Sequence, residues 1–179
     1  HTLCVATNDV LVHGIPTSRK LQEGDLIGID CGVFLEGLHT DMAETIKVKS
    51  QKLKVKSDED KIDRFIRIGR EAVYDGIVQV KPGNRVGHIS QALQKKLETE
   101  GGYSVSRSLI GHGVGRELHE EPEIPGYLAL PIAKTPLLKP GMTIAIEAIY
   151  TMGKQDVVVA RDNWTLKTAD GSLGGLCER

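Results

Sequence analysis

Two aspartates near the start of the chain could do chemistry together. Asp30 lies within an alternating stretch from Leu26 to Phe34, where Ile27, Ile29, Cys31 and Val33 face one way and Gly28, Asp30 and Gly32 the other. That pattern predicts a strand with an apolar core face and one carboxylate between two glycines on its polar face. Leu35-Glu36-Gly37 reads as a hairpin turn, and Leu38 to Val48 as the return strand carrying Asp41. A turn at Leu35-Glu36 puts Asp30 opposite Asp41, and a bulge at Gly37 moves the pairing by one. Like charges placed across strands are destabilising, and crowding raises a carboxylate pKa unless a cation intervenes. A divalent metal with hard oxygen ligands resolves that conflict, whereas two solvated aspartates on an exposed hairpin need none.

A second candidate lies in Gly111-His112-Gly113-Val114-Gly115, followed by His119-Glu120-Glu121-Pro122. Glycines on both sides let the backbone present the His112 imidazole closely to a ligand. His119, seven residues on, can face the same cleft. A phosphate-binding loop is the weaker reading, because no Lys-Ser/Thr follows and the GxGxxG pattern is missing. Glu147 enters through an internal repeat. The pattern Leu-x-x-Gly-x-x-Ile-x-Ile-acid occurs at Leu21–Asp30 and again at Leu138–Glu147. Two ordinary turn-then-strand segments would share the glycine and isoleucines, but they do not require an acid at the same place. A structural repeat bringing both acids to a shared centre does.

The elements that must position these groups read as α+β. Thr2 to Val12 is strand-like and broken by His13-Gly14-Ile15-Pro16. A charged exposed connection is expected from Gln51 to Lys61. Ile62, Phe65, Ile66, Ala72, Val73 and Ile77 mark a helix to Val80, stopped by Lys81-Pro82-Gly83-Asn84. Val86, Ile89, Leu93 and Leu97 mark a second, closed by Gly101-Gly102. Strands are expected over Tyr103–Ile110, Leu138–Met152 and Asp156–Thr168, with a Gly/His-rich loop at 111–122. Helices and antiparallel strands in separate blocks indicate an α+β domain.

Composition narrows the function further. The 179 residues suit one domain, and 40% of them are hydrophobic, enough for a core. The 23 basic and 24 acidic residues nearly cancel, which gives nucleic-acid binding no electrostatic basis as the main task. No apolar run approaches the roughly 20 residues of a membrane helix, and no signal peptide opens the chain. Cys4, Cys31 and Cys177 are odd in number and scattered, so a reducing, cytoplasmic setting is expected rather than a disulfide scaffold. The start at His1 and the stop one residue after Glu178 suggest a core cut at both ends.

The ordered set of motifs resembles the methionine aminopeptidases of the bacterial type (type I), within the pita-bread metallopeptidases. The segments that carry it are Asn8–Pro16, Gly24–Asp30, Gly37–Asp41, Gly111–Gly115 with His119–Pro122, Gly141–Glu147, and Trp164–Leu173 leading to Glu178. They run the length of the chain. The resemblance implies a single pita-bread domain over 1–179, two related halves around a curved antiparallel sheet with helices outside it. It implies two divalent ions (Mn, Fe, Co or Zn) held by Asp30, Asp41, His112, Glu147 and Glu178. Asp41 and Glu178 would bridge, and the assignment of Glu178 rests on the resemblance alone. His13 and His119 match positions that contact substrate and the reacting centre. Cys4 and Trp164 match the methionine pocket, and Glu147 matches a candidate proton acceptor. Leu118 stands where the family usually has an aromatic residue. The implied activity is removal of the initiator methionine from nascent chains, by a monomer working near ribosomes, with no membrane or specific nucleic acid involved. An X-Pro aminopeptidase or prolidase, and a non-catalytic pita-bread module binding protein or RNA, are the alternatives. On this reading a further strand after Glu178 is needed to hold it in the sheet.

Overall fold

The computed structural model describes residues 3–49 and 61–179, so the connection expected over Gln51–Lys61 lies outside it up to residue 60. The chain begins with β1 (Cys4–Thr7) and β2 (Val10–Val12), joined by a turn in which Asn8 takes φ 55. Next come β3 (Leu26–Asp30), β4 (Val33–Leu35), β5 (Leu38–Thr40) and β6 (Ala43–Lys47). The expected long hairpin is therefore two short ladders in line, interrupted at residues 31–32 and 41–42.

Its register differs from the one expected. Leu35 pairs with Leu38, so the turn is Glu36-Gly37, with φ 51 and 83. Two consecutive positive φ values define the tight turn whose twist matches a hairpin, and glycine is favoured at its second position. Asp30 consequently pairs with Ala43, not Asp41. Asp41 lies two residues before Ala43, diagonal to Asp30 and on the same face, since side chains alternate along a strand. The expected apolar core face is also revised, because Ile29 and Val33 are exposed.

Two helices follow, α1 (Lys61–Val78) and α2 (Val86–Gln94), the latter running on into a wider π-type turn, Lys95–Glu100. Val86, Ile89, Leu93 and Leu97 are all buried, as their spacing predicts. In α1 the buried stripe is Phe65, Ile68, Gly69, Ala72, Val73 and Gly76, while Ile77 faces outward. Hydrophobicity alone misplaces that stripe because two of its positions are glycines, which let large side chains from the sheet approach the helix backbone.

The second half contains β7 (Ser104–Val105), β8 (Ile110–Gly113), β9 (Glu120–Pro125), β10 (Ile144–Ala145), β11 (Glu147–Thr151), β12 (Val157–Val159), β13 (Leu166–Thr168) and β14 (Gly174–Glu178). The strand expected over Tyr103–Ile110 is thus two short ones. His112 sits on β8 rather than in a loop, and Asp156–Thr168 is a hairpin rather than one strand. The stretch Leu138–Met152 is broken at Ile146, whose N–H and carbonyl exchange hydrogen bonds with Arg179 instead (2.9 and 3.2 Å).

Strand orders are β1-β3-β6, β14-β11-β7, β10-β8-β9 and β12-β13-β2, with β4-β5 a separate hairpin. Helix α1 covers one side of β11 and β14, and α2 packs on α1 and β9, so that Phe65, Ile89, Leu93, Ala148, Tyr150 and Cys177 share one apolar cluster. Leu11, Val12, Ala43, Ile149 and Leu176 form a second apolar cluster. Every residue of β11 and β14 is buried. The two repeat segments share a local conformation: Gly24 and Gly141 both take left-handed φ, 92 and 87, ahead of the strand that leads to each acid. Among the described residues no helix is long and apolar enough to cross a membrane.

Tyr150 is fully buried, donates its hydroxyl to the Phe65 carbonyl at 2.7 Å, and packs closely against Gly69. A methyl group at Gly69 would overlap the Tyr150 ring. Gly69→Ala should therefore lower the unfolding free energy by about 2–3 kcal/mol, despite alanine's better helix propensity. Urea denaturation of the two proteins measures this, and an unchanged or higher stability would refute the proposed packing.

Candidate metal centre

One cleft of about 490 Å³ gathers residues from both halves of the chain. Asp30, Asp41, His112, Glu147 and Glu178 line it, as do Cys4, His13, His119 and Trp164. Its remaining wall includes Leu3, Val12, Leu118 and Leu176. All nine positions singled out from the sequence thus meet in one place.

Each acid arrives by a different route. Asp30 ends β3, paired with Cys4 on β1. Asp41 occupies the bend between β5 and β6, and its Oδ1 accepts the Met42 N–H at 3.1 Å. Glu147 opens β11 and pairs with Glu178 on β14, so the two buried glutamates are direct cross-strand neighbours. Glu178 itself lies within a sheet. The β11–β14 ladder, continued by the Ile146–Arg179 pair, holds it. His112 is fixed by β8, where it pairs with Ala145 of β10. Its Nδ1 lies 2.8 Å from the Gly113 carbonyl, which assigns the proton to that nitrogen and directs Nε2 to Glu147 Oε1 at 3.3 Å.

The electrostatics of this arrangement are unfavourable for a protein alone. Burial, then Glu147, Asp41 and Asp30, push Glu178 up to about 10. Burial, then Asp41 and Glu147, push Asp30 up to about 6. Burial also raises Glu147, partly offset by His112. His112 itself is depressed by burial but raised more by Glu147 and the Gly113 carbonyl. Four carboxylates therefore share a cleft that, among the described residues, no lysine or arginine lines. Arg179, next to Glu178, gives its guanidinium to Glu44 and to the Ala43 and Glu178 carbonyls.

These residues fit a cation. Glu178 Oε1 is buried with no hydrogen-bond partner, a costly state for a carboxylate oxygen. Ligand atoms of Asp41, His112 and Glu178 all lie within 4.8 Å of one another. Carboxylate oxygens with one imidazole suit divalent Mn, Fe, Co or Zn. Asp30 and Glu147 border that tight group within the same cleft.

The lip of the cleft carries the other two histidines. His119 lies edge-on to His112, ring centroids 4.3 Å apart. Burial and His112 depress its pKa, so it is a neutral imidazole near pH 7. His13 has φ 59, a left-handed conformation uncommon outside glycine, and its ring stacks on Trp164 at 5.1 Å. Burial depresses its pKa too. Asp162 holds the turn beneath Trp164, accepting the N–H groups of Trp164 (3.0 Å) and Thr165 (2.9 Å) and the Thr165 hydroxyl (2.6 Å). Sequence reasoning passed over Asp162 and Thr165, although Asp-x-x-Thr before a strand is a usable turn signal. The Cys4 thiol is pushed up by burial, Asp30 and Asp41, so it stays protonated and serves as wall.

Comparison with known proteins agrees with this α+β architecture and its cleft of cation ligands. The family model described as metallopeptidase family M24 matches residues 1–168. The chain belongs to metallopeptidase family M24. It is 45% identical over 170 residues to methionine aminopeptidase 1 of Bacillus subtilis (strain 168), covering 95% of this chain and 64% of that protein. It is 37% identical over 178 residues to the methionine aminopeptidase of Escherichia coli (strain K12), covering 99% and 64%. The chain thus spans about two thirds of the length of these relatives. The crystal structure of methionine aminopeptidase from Thermotoga maritima superposes with a TM-score of 0.88 at 39% identity, over 98% of this chain and 67% of that one. A prolidase from Pyrococcus horikoshii OT3 shares the fold at a TM-score of 0.70 and 24% identity, covering 99% and 43%. The fold is the pita-bread fold.

A group whose folded pKa is raised binds protons more tightly in the folded chain, so stability is lost as pH rises from the unfolded value toward the folded one. For Glu178 that window runs from 4.5 to about 10. His13 and His119 act with opposite sign, but only around the ordinary histidine range. The melting temperature of the metal-free chain should therefore fall between about pH 7 and pH 8.5, and added Mn²⁺ should remove most of the fall. Glu178→Gln should flatten the metal-free profile and weaken the Mn²⁺ response. A metal-free profile that is flat in the parent chain would contradict the electrostatics described.

Proposed function

We propose that this chain is the catalytic part of a metal-dependent aminopeptidase that removes N-terminal methionine from peptides and nascent proteins. The observation that carries the reading is the convergence of four carboxylates and one imidazole beside an apolar wall. The names and identities of the relatives support it. On this reading Asp30, Asp41, His112, Glu147 and Glu178 would hold two divalent ions. When bound, such ions polarise a carbonyl and make water a stronger nucleophile near neutral pH.

The remaining residues bind and orient. Leu3, Cys4, Val12, Leu118 and Trp164 offer an apolar, partly sulfur-lined wall suited to a thioether side chain. His119 is neutral and retains an N–H to donate to the oxygen of the scissile carbonyl as negative charge develops there. His13, set by its stacking on Trp164, orients the peptide at the lip. Glu147, buried beside His112, accepts the proton of the attacking water and passes it to the leaving amine. The acid-rich floor suits a substrate with a free α-amine, which confines cleavage to the first peptide bond.

The test is hydrolysis of Met-Ala-Ser against X-Pro peptides of equal length, with Mn²⁺ or Co²⁺ supplied. Release of methionine is expected, and a preference for X-Pro peptides would move the chain to the prolidase alternative. Asp41→Asn and His112→Ala should each reduce cleavage to background. His119→Ala should keep its metal and lower kcat by about 10²–10³-fold, the usual loss of one oxyanion donor. Near-full activity in any of the three would show that its assigned role is wrong.

A further inference from the structure

Asp41 stands just before one sheet and Glu178 at the end of another, yet their ligand atoms sit within 4.8 Å of each other. Asp41 leads into β6, the edge of the β1-β3-β6 sheet, and Glu178 ends β14, the edge of the β14-β11-β7 sheet. These two edge strands lie side by side without a backbone ladder among the described residues. Side chains take its place. The Thr45 hydroxyl accepts the Leu176 N–H at 2.9 Å and donates to the Leu176 carbonyl at 2.7 Å. Arg179 Nη1 donates to the Ala43 carbonyl at 3.0 Å. Thr45 meets Leu176 and Ala43 meets Arg179, so the two strands run antiparallel along the seam toward the cleft.

A hydroxyl that both donates and accepts completes the hydrogen bonding of one residue of β14, which is what a strand partner would have done. Thr45 is 3% exposed, so water cannot replace it. Arg179 is held in turn. Its Nη2 pairs with Glu44, and Glu44 is also bound by Arg70 of α1 at 2.7 and 3.0 Å. The seam is thus tied at Leu176 and Arg179, two residues and one from Glu178, and at Thr45 and Ala43, four residues and two from Asp41. Nothing else described ties Asp41 to Glu178 directly.

We propose that Thr45 and Arg179 are positioning residues that set the separation of Asp41 and Glu178, and so the geometry in which the chain holds a divalent ion. This rests on the reading of Asp41 and Glu178 as metal ligands. Neither residue lines the cleft: Thr45 acts through the backbone of Leu176, and Arg179 through the Ala43 and Glu178 carbonyls that it joins. Displacing the seam by a few tenths of an ångström leaves the fold intact and spoils a shared ligand geometry.

The experiment loads the whole chain with Co²⁺ and reads the visible absorption spectrum and the binding constant by titration calorimetry. Thr45→Val keeps the shape and removes the hydroxyl. Arg179→Gln removes the second tie. Each should alter the Co²⁺ bands and weaken binding by about tenfold or more, the usual consequence of losing a group that orients a ligand. Thr45→Ser should restore both readouts. Leu97→Ala, a core truncation in the turn after α2, should lower the melting temperature yet leave the Co²⁺ spectrum as in the parent. Parent-like spectra and affinity in Thr45→Val and Arg179→Gln would overturn the proposal, as would an equal change in Leu97→Ala. If Thr45→Val does not fold, Arg179→Gln decides. A parent chain that binds no Co²⁺ would overturn the metal reading itself, a result distinct from parent binding with unaffected variants.

Discussion

Glu147 and Glu178 face each other across the β11–β14 ladder, both buried, with Asp30 and Asp41 a short distance away. Removing carboxylates from water is costly, and placing like charges in register adds to the cost. Much of the architecture can be understood as holding that arrangement together. Among the described residues, strands β11 and β14 are buried along their whole length, with the α1 side on one face and the Leu11–Leu176 cluster on the other. Apolar burial of that extent is what can offset a polar centre between two sheets. Without a cation the site's own remedy is protonation, visible in the raised pKa of Glu178 and Asp30.

The same constraint explains where the cations of the chain are not. Arg179 stands beside Glu178 but is turned to Glu44, and Arg70 reinforces that choice. A guanidinium in the cleft would neutralise the acids and occupy the place of a metal. Turned away, Arg179 binds the two half-molecules together and leaves the acids facing one another. Thr45 and Arg179 are accordingly more than local stabilisers, because the sheets they join carry different members of one ligand set.

At the lip, local conformation serves the same centre. His13 stays in a left-handed conformation that a non-glycine residue adopts only when its surroundings demand it. Trp164 supplies the stacking, and Asp162 with Thr165 fixes the turn that presents Trp164. The Thr165 hydroxyl also reaches the His13 carbonyl at 3.3 Å, tying the lip of one half to the other.

Local patterns in the sequence were enough for Asp30, His112 and Glu147 as candidates, and for the two helices. Glycine flanks, a repeated glycine-to-acid spacing and a 3.6-residue apolar period are all properties of contiguous residues. The hairpin register was not legible, because it depends on which two residues accept positive φ, and Glu36-Gly37 displaced the expected turn. Strands of two to five residues, such as β7 and β10, leave no periodic signal to read. Glu178 had no signal of its own beyond family resemblance: its meaning comes from facing Glu147, a strand partner far away in sequence. Thr45 was invisible for the same reason, since a lone threonine on a strand says nothing until Leu176 lies beside it. The sequence by itself determined the ligand types and the elements that carry them, through short-range sterics and periodicity. The tertiary structure decided which acids share a centre and what ties their two sheets together, because burial and cross-strand pairing are set only when distant segments meet.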